Sequence, residues 1–311
     1  MQSSTRVHVL ITTDKYGMKY GYGRIVRDVV KHLKGYFNVT VGNKVKGCPD
    51  VLYVHDCYAP RKIYLAKKRC KCKVVTHVHT LNPILIGQFL REKATLSLSD
   101  HVITVSNIMK KLIESYYGDV VDKISVVHNC VDTRKFKPSK NPEEVKADII
   151  YVGRRLEGRK GFKILLAKAI NEGLKLAAIG SRDVEFLGAS YVLPKNILLD
   201  LGYVPLKRLI RILSSGKPVV LPSTFEPFGL VALETMACKG RAIISKYAGV
   251  AEIVEPKSAI LFDPINDSLK EVVEKAYEEI DLNKARKVAE KHDCRKTIVK
   301  IVEKINGTLE S

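Results

Sequence analysis

The sequence contains no tryptophan, only four methionines, and no apolar run close to the roughly 18 residues that a membrane-spanning helix needs. The apolar run near its beginning, residues 7–11, is too short for the core of a secretory signal and predicts a first β-strand instead. From these absences we expect a cytoplasmic protein, and a peripheral contact with a membrane stays open.

The seven cysteines form no Cys-x-x-Cys pair, although Cys70 and Cys72 are close neighbours. No second group of cysteine or histidine residues lies near that pair in the sequence, so a structural zinc site is not expected. Because the cysteine count is odd and there is no export signal, we predict free, buried thiols in a reducing compartment.

Positive charge is what the sequence has in excess. Among 311 residues, 53 Lys and Arg outnumber 33 Asp and Glu, which gives a net charge of +20. This charge attracts polyanions in general, including nucleic acid, an anionic membrane surface and phosphorylated small substrates. The densest part, residues 61–73, carries seven basic residues and no acid. It is either a solvated helix face or a surface that docks on anionic lipid head groups, although it lacks a Trp or Phe anchor.

Short apolar stretches alternate with amphipathic helical patterns along the chain. This alternation is typical of α/β proteins with doubly wound parallel sheets, and the length is sufficient for two domains. Residues 137–146 are polar and contain two prolines, which is typical of a linker. We therefore predict an N-terminal domain over residues 1–143, a C-terminal domain over residues 144–292, and a terminal helix over residues 293–311.

The most informative stretch predicts a strand, a turn and a helix. Residues 218–221 form an apolar strand, the turn runs from Glu226 to Gly229, and helix-favouring residues begin at Leu230. The free N–H groups and the positive end of the dipole make such a helix start a site for anions.

Two carboxylates, Glu226 and Glu234, flank this helix start. On a single helix, eight residues would separate them by roughly 12 Å, whereas the paired acids of glycoside hydrolases lie about 5 to 9.5 Å apart. The two residues therefore either grip different parts of one extended anionic ligand, or are a solvated loop Glu and a surface helix Glu.

A second candidate for anion binding follows the first strand of the C-terminal domain. The loop after that strand places Arg154, Arg155, Arg159 and Lys160 close together, next to glycine. Four neighbouring cations are costly unless an anion neutralises them, and both Arg and Lys bind phosphate. A plain surface loop is the alternative.

Two further features lie at strand ends in the N-terminal half. Gly21 and Gly23 allow a backbone to approach a ligand closely, but Val26 replaces the third glycine of a dinucleotide fingerprint, and a plain flexible turn is the alternative. His77 and His79 end another strand on one of its faces. With no acid nearby for a metal site, each is either functional or engaged in packing or capping.

The spacing of Glu226 and Glu234 is the E-x7-E pattern, with Pro-Ser at residues 222–223 before it and Ala-Cys-Lys-Gly at residues 237–240 after it. In these residues the chain resembles the retaining family 4 glycosyltransferases. That family has the GT-B fold, in which two Rossmann-like doubly wound α/β domains face each other across a cleft. Its last helix crosses back to the first domain, so we expect residues 293–311 to pack there.

The resemblance extends to neighbouring elements with two departures. Residues 248–254 are similar to the Gly-Gly-x-x-Glu element of the family, with Ala248 in place of the first glycine. After Asn129, Cys130 stands where the family usually has glycine. The loop at Ala248 is therefore expected to be less open than usual, and the turn at Cys130 to keep its place at the domain edge.

The resemblance also implies roles for the candidate residues. Glu226 would contact the transferred sugar, and Glu234 the ribose hydroxyls of the nucleotide. The resemblance also carries over other donor-binding positions. The backbone of Phe228, Gly229 and Leu230 would lie near the phosphates, Arg154 and Lys160 would bind the diphosphate, and Tyr203 would lie near the base. Arg155 and Arg159 are alternatives to Arg154 and Lys160, because this loop is one residue longer than the commonest form in the family. Tyr203 either stacks on the base or packs against the protein.

For the first domain, the resemblance places Gly21 and Gly23 near the donor phosphate and the acceptor, and His79 beside the reacting sugar. A neutral imidazole there could donate a hydrogen bond to a sugar hydroxyl or stabilise developing charge. His79 is thus the first-domain candidate for catalysis, beside Glu226 in the second.

The function that follows is metal-independent transfer of a sugar, with retention, from a nucleoside-diphosphate sugar to a glycan, lipid or small molecule. The sequence has no Asp-x-Asp, so the cations would replace a metal on the diphosphate and no cofactor is expected. The alternatives are another GT-B enzyme, such as a nucleotide-sugar epimerase or a phosphorylase, and a basic nucleic-acid-binding protein. Because the cations are spread along the chain with no recognised nucleic-acid module, we expect no nucleic-acid partner.

Overall fold

The computed structural model describes residues 4–11, 21–45, 47–155, 157–180 and 196–311. The chain forms two compact units, one of Met1–Cys130 with Cys294–Ser311 and one of Val131–Asp293. Within the described ranges, no helix is long and apolar enough to cross a membrane.

The described part of the chain contains ten α-helices. In chain order they are α1 (Tyr22–Leu33), α2 (Pro60–Cys70), α3 (Ile86–Leu98), α4 (Asn107–Tyr116), α5 (Phe162–Asn171), α6 (Leu206–Leu213), α7 (Leu230–Ala237), α8 (Leu269–Glu279), α9 (Leu282–Lys291) and α10 (Cys294–Glu310). Several starts follow the capping preferences of the sequence: the Ser106 side chain accepts from the Met109 N–H before α4, and Asp281 caps α9.

The described residues of the first unit form one parallel sheet in the order β2-β1-β3-β4-β5-β6. Its strands are β1 (Arg6–Leu10), β2 (Asn38–Gly42), β3 (Val51–His55), β4 (Lys73–Val78), β5 (His101–Thr104) and β6 (Ile124–Val126). Every residue of β3 is buried, as expected for a central strand covered by helices on both faces. The strand order reverses between β1 and β3.

Helices cover both faces of this first sheet. Right-handed crossovers from β3 through β6 place α2, α3 and α4 on one face, where α2 packs against α3. On the other face α10 packs against α1, and α10 also contacts β4. The C-terminal helix therefore belongs to the first unit.

The second unit has a parallel sheet in the order β12-β11-β10-β7-β8-β9. Its strands are β7 (Ile149–Val152), β8 (Leu176–Ile179), β9 (Leu198–Gly202), β10 (Val219–Leu221), β11 (Ala242–Ser245) and β12 (Ile260–Phe262). Its core consists mainly of buried aliphatic residues, among which the ring centres of Tyr151 and Phe162 lie 5.0 Å apart. This is the doubly wound order, and its direction of winding reverses between β7 and β10. The predicted pair of doubly wound α/β sheets is confirmed.

The two units divide earlier in the chain than the polar segment 137–146 suggested. Val131 forms a parallel bridge with Asp293, and the Thr133 N–H donates to the Asp293 carboxylate at 3.1 Å. Arg286 donates to the carbonyls of Thr133 and Phe136 at 3.0 and 2.7 Å. These hydrogen bonds hold the residues after Val131 on the second unit. The linker was predicted from polar residues and prolines, and such a composition does not reveal contacts with residues far along the chain.

The prediction of free cysteines was wrong for four of the seven. Disulfides join Cys48 to Cys70 and Cys130 to Cys294, with Cα–Cα distances of 5.1 and 4.8 Å. These distances are within the ordinary range for a disulfide. The partners are 22 and 164 residues apart in sequence, so only the fold brings them together. The remaining three, Cys57, Cys72 and Cys238, are buried and belong to neither disulfide.

Candidate functional site

The loops that follow β7 and β10 lie side by side, because these adjacent parallel strands end at the same edge of the second sheet. The Thr224 N–H donates to the Arg159 carbonyl at 2.9 Å and links the two loops. Gly161 has a φ of 69°, and a Cβ there would lie 1.9 Å from the Pro222 carbonyl oxygen. Only glycine fits at this contact. In doubly wound sheets ligands bind at this reversal point, outside the carboxyl ends of the strands.

The side chains of the two loops meet at Glu226. The Lys160 ammonium forms an ion pair with a Glu226 carboxylate oxygen, and Arg159 Nη1 lies 3.9 Å from the same oxygen. Glu226 is only 7 % exposed. Two cations from the neighbouring loop thus pair with a nearly buried carboxylate at this position. The structure therefore brings together the predicted residues Lys160 and Glu226, and adds the rival Arg159.

The other cations of the loop have different partners. Arg154 is largely exposed and pairs with Glu157 at 2.7 Å, and Glu157 also pairs with Arg159. Arg155 is buried, and its guanidinium donates to both oxygens of Asp200 at 2.8 and 2.6 Å. Arg155 thus ties the loop to β9 and belongs to the framework, whereas Arg154, Arg159 and Lys160 remain at the edge of the sheet.

The loop of Glu226 is fixed by the element that follows β11. Glu226 forms a parallel bridge with Ala248, donates its N–H to the Tyr247 carbonyl at 3.2 Å, and accepts from the Gly249 N–H at 2.9 Å. The Val250 N–H donates to the Phe228 carbonyl at 2.6 Å. Ala248, the departure from the family pattern, is fully buried, so its side chain packs inside rather than lining an open loop.

The helix start next to Glu226 is shaped by Gly229. This residue precedes α7 with a φ of 106°, and a Cβ on it would lie 2.7 Å from Leu221 Cδ2 and 3.0 Å from Val250 Cγ1. Glycine is required there by both conformation and space. The first N–H groups of α7, beginning at Leu230, have no acceptor within the helix and carry its positive dipole end. Phe228 packs in the core beside them.

Burial bears on one of the two interpretations of the paired carboxylates. Glu226 lies before α7 rather than on it, and Glu234 lies inside α7 with only 3 % of its surface exposed. The alternative of a solvated loop Glu and a surface helix Glu is wrong. Both are enclosed acidic groups at one end of the sheet.

Other residues at this edge were predicted less completely. Tyr203, after β9, is 63 % exposed, which is unusual for a tyrosine that only packs. Asp263 was not singled out in the sequence, yet it binds the Lys246 ammonium at 2.9 Å and the Tyr247 hydroxyl at 3.0 Å. These partners, Lys246 first, hold the pKa of Asp263 well below its usual range. The sequence around Asp263 contains no motif that predicts these contacts.

In the first unit, three buried histidines lie together at the ends of β3 and β4. His55 Nδ1 is 3.2 Å from His79 Nε2, and the His77 and His79 rings are 4.2 Å apart. His77 Nδ1 is 2.7 Å from the Tyr53 hydroxyl. Burial first, and then the charge of His79, keeps the pKa of His77 well below its usual range. His77 thus lies inside the cluster against Tyr53, while His79 lies at the sheet edge.

The backbone of His79 is held by Asp56. The Asp56 carboxylate accepts from the N–H groups of His79 and Thr80 at 2.8 and 3.1 Å. Asp56 itself has a φ of 61°, a conformation that Asp tolerates better than most residues. Asp56 could not be selected from the sequence, because its effect on His79 depends on the pairing of β3 with β4.

The histidine cluster has a donor set that metals use. The ligating nitrogens of His55, His77 and His79 all lie within 4.8 Å of one another. Imidazole nitrogens suit zinc, copper and nickel. His55 was missed because it lies on a different strand, β3, where it is the register partner of His77 in the β3–β4 pair.

The glycine-rich turn of the first unit is described only in part. Gly21 precedes α1 with a φ of 55°, and its carbonyl accepts from the Arg24 and Ile25 N–H groups. Gly23 lies in the first turn of α1. The preceding residues 12–20 lie outside the described part of the chain.

Family models match nearly the whole chain. Residues 132–292 match the model "Glycosyl transferases group 1", and residues 7–135 match "Glycosyltransferase Family 4". The chain therefore belongs to the glycosyl transferases group 1 family. This confirms the predicted resemblance to glycosyltransferases.

One curated relative is an uncharacterized glycosyltransferase of Methanocaldococcus jannaschii. It is 32 % identical over 235 residues, which cover 66 % of this chain and 60 % of the relative. A glycogen synthase of Mycobacterium tuberculosis is 29 % identical over 66 % of this chain and 54 % of its own length. The chain thus matches less than two thirds of each of these relatives.

Two solved structures show the same fold over almost their whole length. Sucrose-phosphate synthase from Thermosynechococcus elongatus has a TM-score of 0.84 at 15 % identity, covering 98 % of this chain and 99 % of that one. Anabaena HepE, solved in complex with UDP-glucose, has a TM-score of 0.73 at 16 % identity, covering 97 % and 99 %. With the two doubly wound units, these likenesses confirm the predicted GT-B fold.

Proposed function

We propose that this chain transfers a sugar from a nucleoside-diphosphate sugar to an acceptor, with retention at the anomeric carbon and without a divalent metal ion. The observation that carries this proposal is the meeting of Lys160 and Arg159 at Glu226, beside the start of α7. Cations, a helix start and an enclosed carboxylate at the reversal point of a doubly wound sheet suit a ligand with a diphosphate and a polar sugar.

In this proposal the diphosphate is bound by protein groups alone. Lys160, Arg154 and the N–H groups at Gly229 and Leu230 supply positive charge where negative charge grows as the bond to the sugar breaks. Such stabilisation acts on the transition state more than on the bound donor, so it increases turnover. The absence of Asp-x-Asp from the sequence agrees with a diphosphate that is not bridged by a metal.

The carboxylate Glu226 orients the sugar rather than attacking it. Its ion pair with Lys160 lowers the nucleophilicity of the oxygen that a covalent mechanism would use. We assign instead a front-face transfer, in which the bond between the anomeric carbon and the diphosphate oxygen breaks. The acceptor oxygen bonds to that carbon on the same face, and its proton passes to an oxygen of the departing diphosphate.

The remaining candidates have supporting roles in the proposal. Glu234 binds the ribose hydroxyls, and Tyr203 stacks on the base. In the first unit, His79 hydrogen-bonds a sugar hydroxyl, and Gly21 and Gly23 leave room for the acceptor. HepE, which shares the fold, was solved with UDP-glucose, which supports a donor of this chemical class. An acceptor carried by an anionic membrane would bring the basic residues 61–73 close to lipid head groups.

A panel of UDP-, ADP- and GDP-sugars tests the donor class. We expect one nucleotide family to raise the melting temperature, because a ligand that binds only the folded state stabilises it. Activity with that donor should persist in excess chelator, and NMR of the product should show the anomeric configuration of the donor. An inverted product, or activity that chelator abolishes, would contradict the assigned chemistry.

Lys160→Ala provides the test at the residue level, with Lys163→Ala as the matched control. Lys163 is exposed on α5, three residues away, so its removal changes the net charge equally. Removing one preorganised charge donor costs about 10²–10³ in turnover. We expect that loss for Lys160→Ala and no loss for Lys163→Ala. Equal activities of the two variants would overturn the assignment of Lys160.

A further inference from the structure

An exposed apolar surface lies at the start of α3. Ile84, Leu85, Ile86 and Leu90 are 82, 53, 78 and 60 % exposed. Ile86 and Leu90 are one helical turn apart and share a face of α3, with the loop residues Ile84 and Leu85 directly before them. We call these four residues the apolar ridge. Single exposed aliphatic residues are common on protein surfaces, but four in seven positions mark an interaction site.

The apolar ridge stands on a firmly packed base. The Asn82 N–H donates to the Glu92 carboxylate at 2.8 Å, and the Tyr117 hydroxyl donates to the same carboxylate. On the inner face of α3, Phe89 stacks on Tyr117 with ring centres 5.2 Å apart. The ridge therefore projects from an ordered helix start, and its exposure does not result from a loop without contacts.

The helix packed beside the ridge is basic. On α2, Ile63 and Ala66 face the core, while Arg61, Lys68 and Arg69 are exposed. Residues 57–91 contain eight Lys and Arg and no Asp or Glu. The first acid after them, Glu92, points inward to Asn82 and Tyr117 and is buried. Lys67 of α2 pairs with Asp100 at 2.9 Å. The surface thus has an apolar part at the start of α3 and, beside it, the exposed cations of α2.

We propose that the apolar ridge and the exposed face of α2 form a docking surface for a bilayer rich in anionic phospholipid. The ridge inserts its aliphatic side chains at the boundary between head groups and acyl chains, and the α2 cations bind the head-group phosphates. Tyr64 and Leu65, about half exposed on α2, add apolar contact next to the cations. The basic segment 61–73 has no Trp or Phe, and the neighbouring helix start supplies the aliphatic side chains of the ridge.

Charge complementarity favours an anionic bilayer over a second copy of the chain and over nucleic acid. A second copy of the chain carries the same net charge of +20 and would present the same cations, which repel each other. Nucleic acid matches the cations but offers no environment for four aliphatic side chains. An anionic bilayer satisfies both parts of the surface. This docking is independent of the proposed sugar transfer, because it concerns only α2 and α3.

Vesicle flotation tests the proposal with the intact chain. Vesicles of phosphatidylcholine alone are compared with vesicles containing equal parts of phosphatidylglycerol and phosphatidylcholine, at low and at high salt. We expect the protein to float with the anionic vesicles, to float far less with the neutral ones, and to keep part of its binding at high salt because insertion is not screened. No flotation with the anionic vesicles would overturn the proposal, and so would a stable dimer that is lost when the ridge is changed.

Two pairs of variants separate insertion from charge. Ile84→Ser with Ile86→Ser should reduce the partition coefficient at least tenfold, whereas Leu261→Ser with Ile265→Ser, two exposed positions on the second unit, should leave it unchanged. Arg61→Gln with Lys68→Gln should reduce partition and its salt dependence, whereas Lys270→Gln with Lys275→Gln should not. Melting temperatures confirm that the variants are folded. Equal losses in a test pair and its control would show that no defined surface binds the membrane.

Discussion

The Lys160 ammonium and the Glu226 carboxylate form an ion pair between two loops that follow adjacent strands, β7 and β10. Arg159 Nη1 lies 3.9 Å from the same carboxylate oxygen. A bare carboxylate at this position would repel a diphosphate, whereas a carboxylate with two cations leaves the local charge positive. The arrangement therefore allows an acidic group that orients a sugar to lie next to groups that bind phosphate.

Glu226→Gln and Glu234→Gln are expected to affect different kinetic constants. Glu226→Gln should lower kcat by about 10²–10³, because the residue acts where charge develops. Glu234→Gln should weaken donor binding about tenfold or more, since a hydrogen bond to a charged group contributes about 1.5–3 kcal/mol. Steady-state kinetics with the donor varied would check both. Unchanged kcat and KM in the two variants would refute the division of roles.

Much of the fold could be predicted because its elements have clear periodicity. The buried run of β3 and the amphipathic pattern of α1 are each visible in a short window of sequence. The domain boundary was misplaced because Thr133 and Phe136 bind Arg286, far along the chain, and polarity alone does not reveal such contacts.

The candidate site was predictable where its residues are consecutive in sequence. The glycine at position 161 follows the cations directly, and Glu226 precedes the glycine that opens α7. What could not be predicted are relations across strands, such as the pairing of Arg155 with Asp200 and the position of His55 beside His79. Each depends on strand order and register, which the sequence does not specify locally.

Gly161→Ala should separate the two loops of the site. Its Cβ would lie 1.9 Å from the Pro222 carbonyl oxygen, and alanine disfavours the positive φ. We expect a loss of about 2–4 kcal/mol in the free energy of unfolding, together with a large loss of activity. Gly158→Ala, in the same loop with no atom within 4 Å of the added carbon, is the control. Denaturant unfolding measures both, and equal stabilities would show that the loops do not need this contact.

The stability of the chain should fall in mild acid because of His77. Burial lowers the pKa of His77 well below its ordinary value, so the folded chain keeps it neutral. The unfolded chain binds the proton below about pH 6.5. Since the unfolded state then binds more protons, the free energy of unfolding decreases as pH falls, by up to about 1.4 kcal/mol per pH unit.

His77→Asn tests this effect, because the Asn side-chain amide does not titrate and can still hydrogen-bond to the Tyr53 hydroxyl. Urea unfolding between pH 5 and pH 8 should show a smaller decrease for this variant than for the wild type. His101→Asn is the comparison, because burial also lowers the pKa of His101. The two variants should each remove part of the acid sensitivity. An unaltered pH dependence in His77→Asn would contradict the interpretation.

Cys130–Cys294 joins the two places where the chain passes between its units. Cys130 ends the first segment of unit one, and Cys294 begins the second. Beside the disulfide, the Val131 N–H donates to the His292 carbonyl at 3.1 Å. Because the cross-link closes a far longer stretch of chain than Cys48–Cys70, it restricts the unfolded state more.

Cys130→Ala with Cys294→Ala should therefore lower the free energy of unfolding by roughly 2–5 kcal/mol. Cys48→Ala with Cys70→Ala should cost less. A reductant should lower the melting temperature of the wild type and have a smaller effect on the Cys130→Ala/Cys294→Ala variant, which retains only the shorter cross-link. Thiol labelling after unfolding without reductant should modify Cys57, Cys72 and Cys238 alone. Labelling of all seven cysteines would mean that neither disulfide forms, and that the two crossing segments are held together by hydrogen bonds only.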